Sequence, residues 1–227
     1  LHSFPTRRSS DLPATFEHIV AVNALYRPGP SRNIESFIKR RHGQETVTVL
    51  DPSLKTILAP TFGIIVYQEQ VMLVAEKYAG FTLGEADVLR SAMSKKKLAQ
   101  MADMHDKFIS GAVSQGHDQS QAEQIFAYID EFANYGFNRS HAVAYSKLSF
   151  QLAYMKVHYP TAFFTALLNA NLGSPDKIRL YVTEAKARGI VVKAPNVNQS
   201  DRFWTINKDF LQMRLHSIKG VRTDFVA

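Results

Sequence analysis

The sequence predicts a mainly α-helical protein with a small β-containing segment near its C-terminal end. Up to about residue 189, apolar residues recur at the spacing of amphipathic helices, and Gly or Pro separates successive runs. After Gly189 the pattern changes to short alternating runs typical of strands, at 190–193, 203–206 and 210–215. A chain of 227 residues that is 45% hydrophobic has enough apolar material for such a fold.

Capping residues and helix breakers place the helices of the first half. Thr15 is a predicted N-cap, and the helix after it must end before the turn at 27–30, Arg-Pro-Gly-Pro, because proline and glycine break helices. Asp51 precedes a proline and opens a short helix. Thr82 and Glu85 form the pattern of a capping box at the start of another helix.

The second half follows the same rules. Ser140 is the predicted cap of a long apolar helix that Pro160 closes, and Gly189 ends the last helix. Residues 63–66 fit either a short strand or the lead-in to a helix. The predicted helices cover residues 16–26, 32–41, a short turn from 52, 67–79, 82–94, 97–114, 120–134, 142–158, 161–172 and 175–188.

Composition limits the classes of function. The formal net charge of +7 favours an anionic partner such as nucleic acid or nucleotide, or simply a basic, soluble surface. The absence of cysteine excludes disulfides and thiolate metal sites, and no apolar run is long enough to span a bilayer. The chain also lacks Asp-x-Asp and the common hydrolase and P-loop motifs, so these residues alone predict neither a metal site nor a nucleophile–base pair.

A cationic stretch at 88–97 is the first candidate site. Its cations are Arg90, Lys95, Lys96 and Lys97. On a helix, Arg90, Ser94 and Lys97 would share one face, and such a face can hold phosphate oxygens. The structural alternative is that the lysines complement a helix C-terminus while Asp87 pairs with Arg90.

A second candidate is the stretch Tyr-Gly-Phe-Asn-Arg-Ser-His at 135–141. It places polar groups at a predicted helix start, where free backbone N–H groups can bind anions, and aromatic rings beside them can stack on bases. The alternative is a plain capped turn with its aromatic rings in the core. The polar residues concerned are Asn138, Arg139, Ser140 and His141.

Two further stretches are weaker candidates. Gln68, Glu69 and Gln70 follow an apolar run and could equally face water at a helix start. The turn at 27–30 presents an arginine on a stiff backbone, and most turns of this kind are structural.

Taken together and in this order, the stretches resemble the bacterial DNA polymerase III alpha subunit, a family C replicative polymerase. Several long and unusual words match, so the resemblance is far more specific than one motif, and it covers about residues 13–221. The matching words are ALYRPGP (24–30), FIKRRHG (37–43), TFGIIVYQEQVM (61–72), LGEADVLRSAMSKKK (83–97), YGFNRSHAVAY (135–145), KVHYP (156–160) and LHSIKGV (215–221).

The resemblance implies a fingers domain at 13–172 and the start of a helix-hairpin-helix-containing region at 173–227. In this family the fingers bind the incoming dNTP and template-primer DNA, and three palm aspartates hold two Mg²⁺ ions for nucleotidyl transfer. Those aspartates precede the fingers, so this chain alone is expected to hold no metal and to be inactive. The resemblance further implies a cytoplasmic bacterial protein whose full-length form meets the sliding clamp and other replisome subunits, with no membrane partner. The alternative is a non-catalytic helical nucleic-acid-binding module.

Site roles transfer residue by residue. Arg90 resembles a triphosphate-contacting arginine, but Ser91 stands where the family usually has a second arginine, so the lysines at 95–97 become candidate helpers. His141 resembles the residue that crowds the sugar 2′ position, with residues 138–140 lining the same pocket. The predicted pocket wall consists of Gln68, Glu69, Gln70 and Tyr135. Near the end, residues 218–221 resemble a phosphate-binding hairpin, but Arg222 replaces a glycine, and no DNA site is assigned there.

The first twelve residues, LHSFPTRRSSDL, do not continue the helical pattern. As protein they fit a short basic arm or a transit peptide, and the missing apolar stretch excludes a secretory signal. The family match instead begins abruptly at Pro13, and the segment resembles the translation of a sequencing-adapter oligonucleotide. We therefore interpret residues 1–12 as non-native, and their two arginines are not counted toward DNA binding.

Overall fold

The computed structural model describes residues 13–95, 97–133, 135–207, 209–218 and 220–221. Within them the chain is mostly helical with a small sheet near the C-terminal end, which confirms the predicted fold class. Residues 1–12, which we interpret as non-native, lie outside the described residues. The helices are α1 (Phe16–Leu25), α2 (Ile34–Arg41), α3 (Lys55–Leu58), α4 (Gln68–Ala79), α5 (Leu83–Lys95), α6 (Leu98–Ser114), α7 (Gln119–Ala133), α8 (Arg139–His158), α9 (Pro160–Asn169) and α10 (Pro175–Ala187). The strands are β1 (Val191–Lys193), β2 (Thr205–Asn207) and β3 (Phe210–Gln212).

The predicted caps of the first half are present. The Thr15 hydroxyl accepts a hydrogen bond from the His18 amide at 3.3 Å and so satisfies one free N–H of α1. Thr82 and Glu85 cap α5 reciprocally: the Thr82 amide donates to the Glu85 carboxylate at 2.8 Å, and the Glu85 amide donates to the Thr82 hydroxyl at 3.3 Å. Lys107 and Thr82 together lower the pKa of Glu85 to about 2.

The described chain divides into two compact units, and the boundary falls inside α8, after Ser146. In the first unit α4, α5, α6 and α7 pack around one core, whose largest fully buried side chains include Tyr78, Phe108 and Ile125. Gly111 in α6 faces the backbone of α4 so closely that a Cβ there would lie 2.2 Å from the Ala79 carbonyl oxygen. A second cluster joins α1 and α2 to residues 64–67.

The second unit packs α9 and α10 against the three-stranded sheet. Its central strand is β3, which pairs parallel with β1 and antiparallel with β2. Leu211 and Trp204 are buried in this core. The Asn169 side chain bonds both the amide and the carbonyl of Trp204, each at 2.9 Å, which fixes the tryptophan against α9.

A histidine of α6 that contacts a glutamate of α7 should make the stability of the first unit pH-dependent. His105 contacts Asp106 at 3.0 Å and Glu123 at 2.7 Å, and these hydrogen bonds raise its pKa above 6.5 although burial opposes them. A raised folded-state pKa means that the stabilisation is complete below pH 6.5 and is lost as the pH rises through the folded-state pKa. We expect the free energy of unfolding to fall over that interval, as measured by urea denaturation at a series of pH values.

The His105→Gln variant should remove most of that pH dependence, because glutamine does not titrate. Glu123→Gln should reduce it, because one of the two carboxylates is lost. A pH profile of His105→Gln that superimposes on the wild-type profile would contradict this assignment.

Candidate functional site

Arg90 lies on α5 and is held in place by a neighbour on its own helix. Its Nε and Nη2 atoms both lie 2.8 Å from Asp87 Oδ1, as the i, i+3 spacing predicts, and the Arg90 side chain remains 32% exposed. One turn later the exposed Ser94 hydroxyl donates to the Arg90 carbonyl at 2.9 Å. This end of α5 therefore presents a guanidinium and a hydroxyl to solvent.

The predicted helical face of Arg90, Ser94 and Lys97 is only partly formed. The helix ends at Lys95, and Lys97 is the N-cap residue of α6, so the prediction that Lys97 continues the face is wrong. The tight α5–α6 turn uses the Lys97 amide to bond the Ala92 carbonyl at 3.0 Å, which takes the backbone off the helical path. Lys95 and Lys97 are exposed and form no ion pair with any described residue, whereas Lys96 lies outside the described residues.

Gln68 joins the end of α5 to the turn before α8. Its side-chain amide donates to the Ser94 hydroxyl at 3.0 Å and to the Gly136 carbonyl at 3.2 Å. Its backbone amide donates to the Phe137 carbonyl at 3.0 Å. Two stretches of the sequence that are more than forty residues apart are thus brought together by one residue.

The start of α8 differs from the predicted start. Asn138, not Ser140, is the cap: its side-chain oxygen accepts from the His141 amide at 2.9 Å, and α8 begins at Arg139. The Ser140 hydroxyl also donates to this oxygen. An N-cap side chain accepts from the amide two or three residues further on, and the Asn138 oxygen does so for the His141 amide, so α8 begins at Arg139 rather than at the predicted residue 142.

Carboxylates already occupy the first polar groups of α8. Both Glu69 oxygens lie 3.0 Å from the Arg139 amide, and the Arg139 guanidinium pairs with Glu17 at 2.9 and 3.0 Å. A phosphate at this helix start would have to replace a carboxylate. Arg90 is also paired with a carboxylate, that of Asp87, but Lys95 at the end of its helix and Lys97 just after it are exposed and form no ion pair with any described residue.

His141 lies among aromatic rings at the exposed start of α8. Its ring centroid is 5.5 Å from that of Phe137 and 4.6 Å from that of Tyr145. Tyr145 is 57% exposed and was not among the predicted site residues. The signal for it was present, because residues four apart share a helical face.

The remaining predicted wall residues lie in different surroundings. Gln70 is buried, and its amide is fully engaged inside the protein with the Val66 and Tyr67 amides, the Thr61 hydroxyl and the Ile57 carbonyl. We therefore leave Gln70 out of the candidate site. Tyr135 is half-buried beside the turn at 27–30. Tyr67 immediately precedes Gln68 in the chain. Burial raises the pKa of Tyr67, with a further contribution from Glu17.

No metal cluster or membrane-spanning helix is found in the described part of the chain. No group of three or more histidine, aspartate or glutamate side chains among the described residues could hold a metal ion. None of its helices combines the length and the apolar character needed to cross a bilayer.

Residues 10–116 match the family model of the bacterial DNA polymerase III alpha subunit finger domain. The chain is related to that alpha subunit along most of its length, which confirms the resemblance inferred from its motifs. It is 46% identical over 215 residues to DNA polymerase III subunit alpha of Halalkalibacterium halodurans and 47% identical over 209 residues to that of Bacillus subtilis, and each alignment covers 92% of this chain. The chain spans about a fifth of the length of these curated relatives, 19% in both cases.

Proposed function

We propose that the chain is part of a replicative DNA-directed DNA polymerase and that its first unit binds the incoming dNTP. The observation that carries the proposal is the bridge made by Gln68, since it joins the Arg90–Ser94 end of α5 to the turn that precedes Asn138 and His141. A cation and a hydroxyl can bind the phosphates of a nucleoside triphosphate, and an aromatic cluster can stack on its base.

The triphosphate is proposed to bind at the end of α5. Arg90 can exchange the Asp87 carboxylate for phosphate oxygens, because its guanidinium is a third exposed and offers a bidentate donor pair. Lys95 and Lys97 add positive charge nearby and are not neutralised by described carboxylates. Arg139 is assigned no phosphate contact in this proposal, because Glu17 pairs with its guanidinium and Glu69 in addition accepts from its backbone amide.

The sugar is proposed to face His141. Its imidazole packs between Phe137 and Tyr145, so the ring is held in one region of the surface and can crowd a 2′-hydroxyl. The exposed Tyr145 ring offers a face on which a base can stack.

Template-primer DNA and Mg²⁺ complete the proposed reaction. Residues 1–12 hold two arginines and one aspartate, so without them the formal net charge of +7 becomes +6, which still suits an anionic polymer. The resemblance assigns the Mg²⁺ ligands to palm aspartates, and none of the roles proposed for the described residues involves the ion. Contacts with a sliding clamp and with other replisome subunits are proposed for the full-length polymerase only.

The His141 assignment predicts a change in sugar discrimination. Residues 13–221 would replace the 209-residue segment of the Bacillus subtilis alpha subunit that aligns with this chain, and kcat/KM would be measured for dATP and ATP on a primed template. His141→Ala should lower the ratio of kcat/KM for dATP to kcat/KM for ATP about tenfold, because a smaller side chain no longer crowds the 2′-hydroxyl.

The matched control is His42→Ala, which changes an exposed histidine at the end of α2. It should leave the ratio unchanged. An unaltered ratio in His141→Ala would refute the role of His141, and a soluble chimaera that cannot extend a primer would contradict the proposed function itself.

A further inference from the structure

The Arg27 guanidinium binds the turn before α8 and not a carboxylate. Its Nη2 donates to the Tyr135 carbonyl at 2.7 Å, and its Nε donates to the Ala24 carbonyl at 3.1 Å, at the end of α1. Its guanidinium lies over the Phe137 ring, 4.3 Å from the centroid. Within the described residues it forms no ion pair, and partial burial lowers its pKa.

Three consecutive carbonyls of this turn each have their own donor. Arg27 binds the carbonyl of Tyr135, the Gln68 side chain binds that of Gly136, and the Gln68 amide binds that of Phe137. The Phe137 amide in turn donates to the Val66 carbonyl at 3.3 Å. Every peptide group between residues 135 and 137 is thus fixed immediately before the cap residue Asn138.

The backbone at Gly29, two residues after Arg27, also lies close to Tyr135. Gly29 has a φ of 97°, and a Cβ at this position would lie 2.0 Å from a ring carbon of Tyr135. The turn at 27–30 therefore packs directly on the turn at 135–137. Only glycine at position 29 permits this approach.

We propose that Arg27 is a positioning residue for the nucleotide site, which it serves by fixing the turn that places Asn138 and His141. The inference rests on the proposed function. Arg27 itself does not touch the nucleotide in this proposal. Arg27 acts on the turn at 135–137 through its contacts with the Tyr135 carbonyl and the Phe137 ring.

The test compares turn rigidity with nucleotide affinity in the ¹⁵N-labelled 227-residue chain. Arg27→Lys keeps the charge but loses the planar, multidentate donor. We expect amide hydrogen exchange at Phe137 and Arg139 to become at least about tenfold faster, and the Kd for dATP measured by NMR titration to rise about tenfold. Phe137→Leu removes only the stacked ring and should give a smaller change in the same direction.

Arg40→Lys is the matched control. Arg40 is also partly buried and donates to a backbone carbonyl, that of Phe62, in the same unit. Its replacement should lower the thermal melting temperature without altering dATP affinity, which separates positioning from general destabilisation.

The possible failures are distinguishable. Unchanged hydrogen exchange in Arg27→Lys, or faster exchange with unchanged dATP affinity, would overturn the role of Arg27 while leaving the proposed function intact. Absence of dATP binding by the wild-type chain would defeat the proposed function, and the inference with it.

Discussion

Replacing Gly111 by alanine should lower the free energy of unfolding of the first unit by about 3 kcal/mol. The added methyl group would lie 2.2 Å from the Ala79 carbonyl oxygen, far inside van der Waals contact. That oxygen belongs to the backbone of α4, so no side-chain rotation relieves the overlap. The two helices must move apart, and the core around Phe108 and Tyr78 must repack. Urea denaturation followed by circular dichroism measures the loss.

Gly84→Ala provides the matched control. Gly84 also lies in a helix, α5, but a Cβ there meets nothing within 4 Å. Alanine should therefore stabilise the unit by about 0.5 kcal/mol, because it restricts the unfolded chain. Equal effects of the two substitutions would contradict the close crossing of α4 and α6.

Replacing Arg90 by alanine should raise the Kd for dATP about thirtyfold, which corresponds to the loss of a charge-assisted hydrogen-bonding group. The substitution also leaves Asp87 unpaired beside the phosphates, and the added repulsion acts in the same direction. Arg90→Lys should lose less, because it keeps the charge but not the bidentate geometry. In the polymerase chimaera, Arg90→Ala should raise the nucleotide KM and lower kcat, since the triphosphate contact persists in the transition state.

Arg188→Ala is the control for Arg90. Arg188, the residue that follows α10, also pairs with a carboxylate on the helix beside it, that of Glu184 at i, i+4 and 3.4 Å, and its side chain is 42% exposed. Its removal should not change dATP affinity. Normal affinity in Arg90→Ala would remove Arg90 from the site.

Local rules in the sequence were sufficient for much of the fold. Thr15, the Thr82–Glu85 pair and Gly189 all act at the positions where capping rules place them, because each cap depends on neighbours a few residues away. The change to strands after Gly189 was likewise visible as a change of period.

Details that depend on competing partners could not be predicted. Ser140 fits the pattern of a cap, yet the Asn138 side chain binds the His141 amide, and α8 begins at Arg139, before Ser140. Lys97 fits a helical face, yet its amide binds the Ala92 carbonyl in the turn after α5, and the residue becomes the N-cap of α6.

The candidate site was predictable as a set of residue types but not as an arrangement. The sequence predicted both Gln68 and Gln70 as residues of the pocket wall. In the structure the Gln68 side chain binds the turn before α8, whereas that of Gln70 is buried in the core. The contact of Arg27 with Tyr135 joins residues 108 positions apart, and no local pattern encodes such a pairing.

An NMR titration of the ¹⁵N-labelled wild-type chain with dATP tests the proposed nucleotide site most directly. If Gln68 joins the two stretches into one site, the largest chemical-shift changes will fall in both together, around Arg90–Ser94 and around Asn138–His141, with the Gln68 side-chain amide among them. Changes confined to one of these stretches, or centred in the second unit, would contradict a single nucleotide site joined by Gln68.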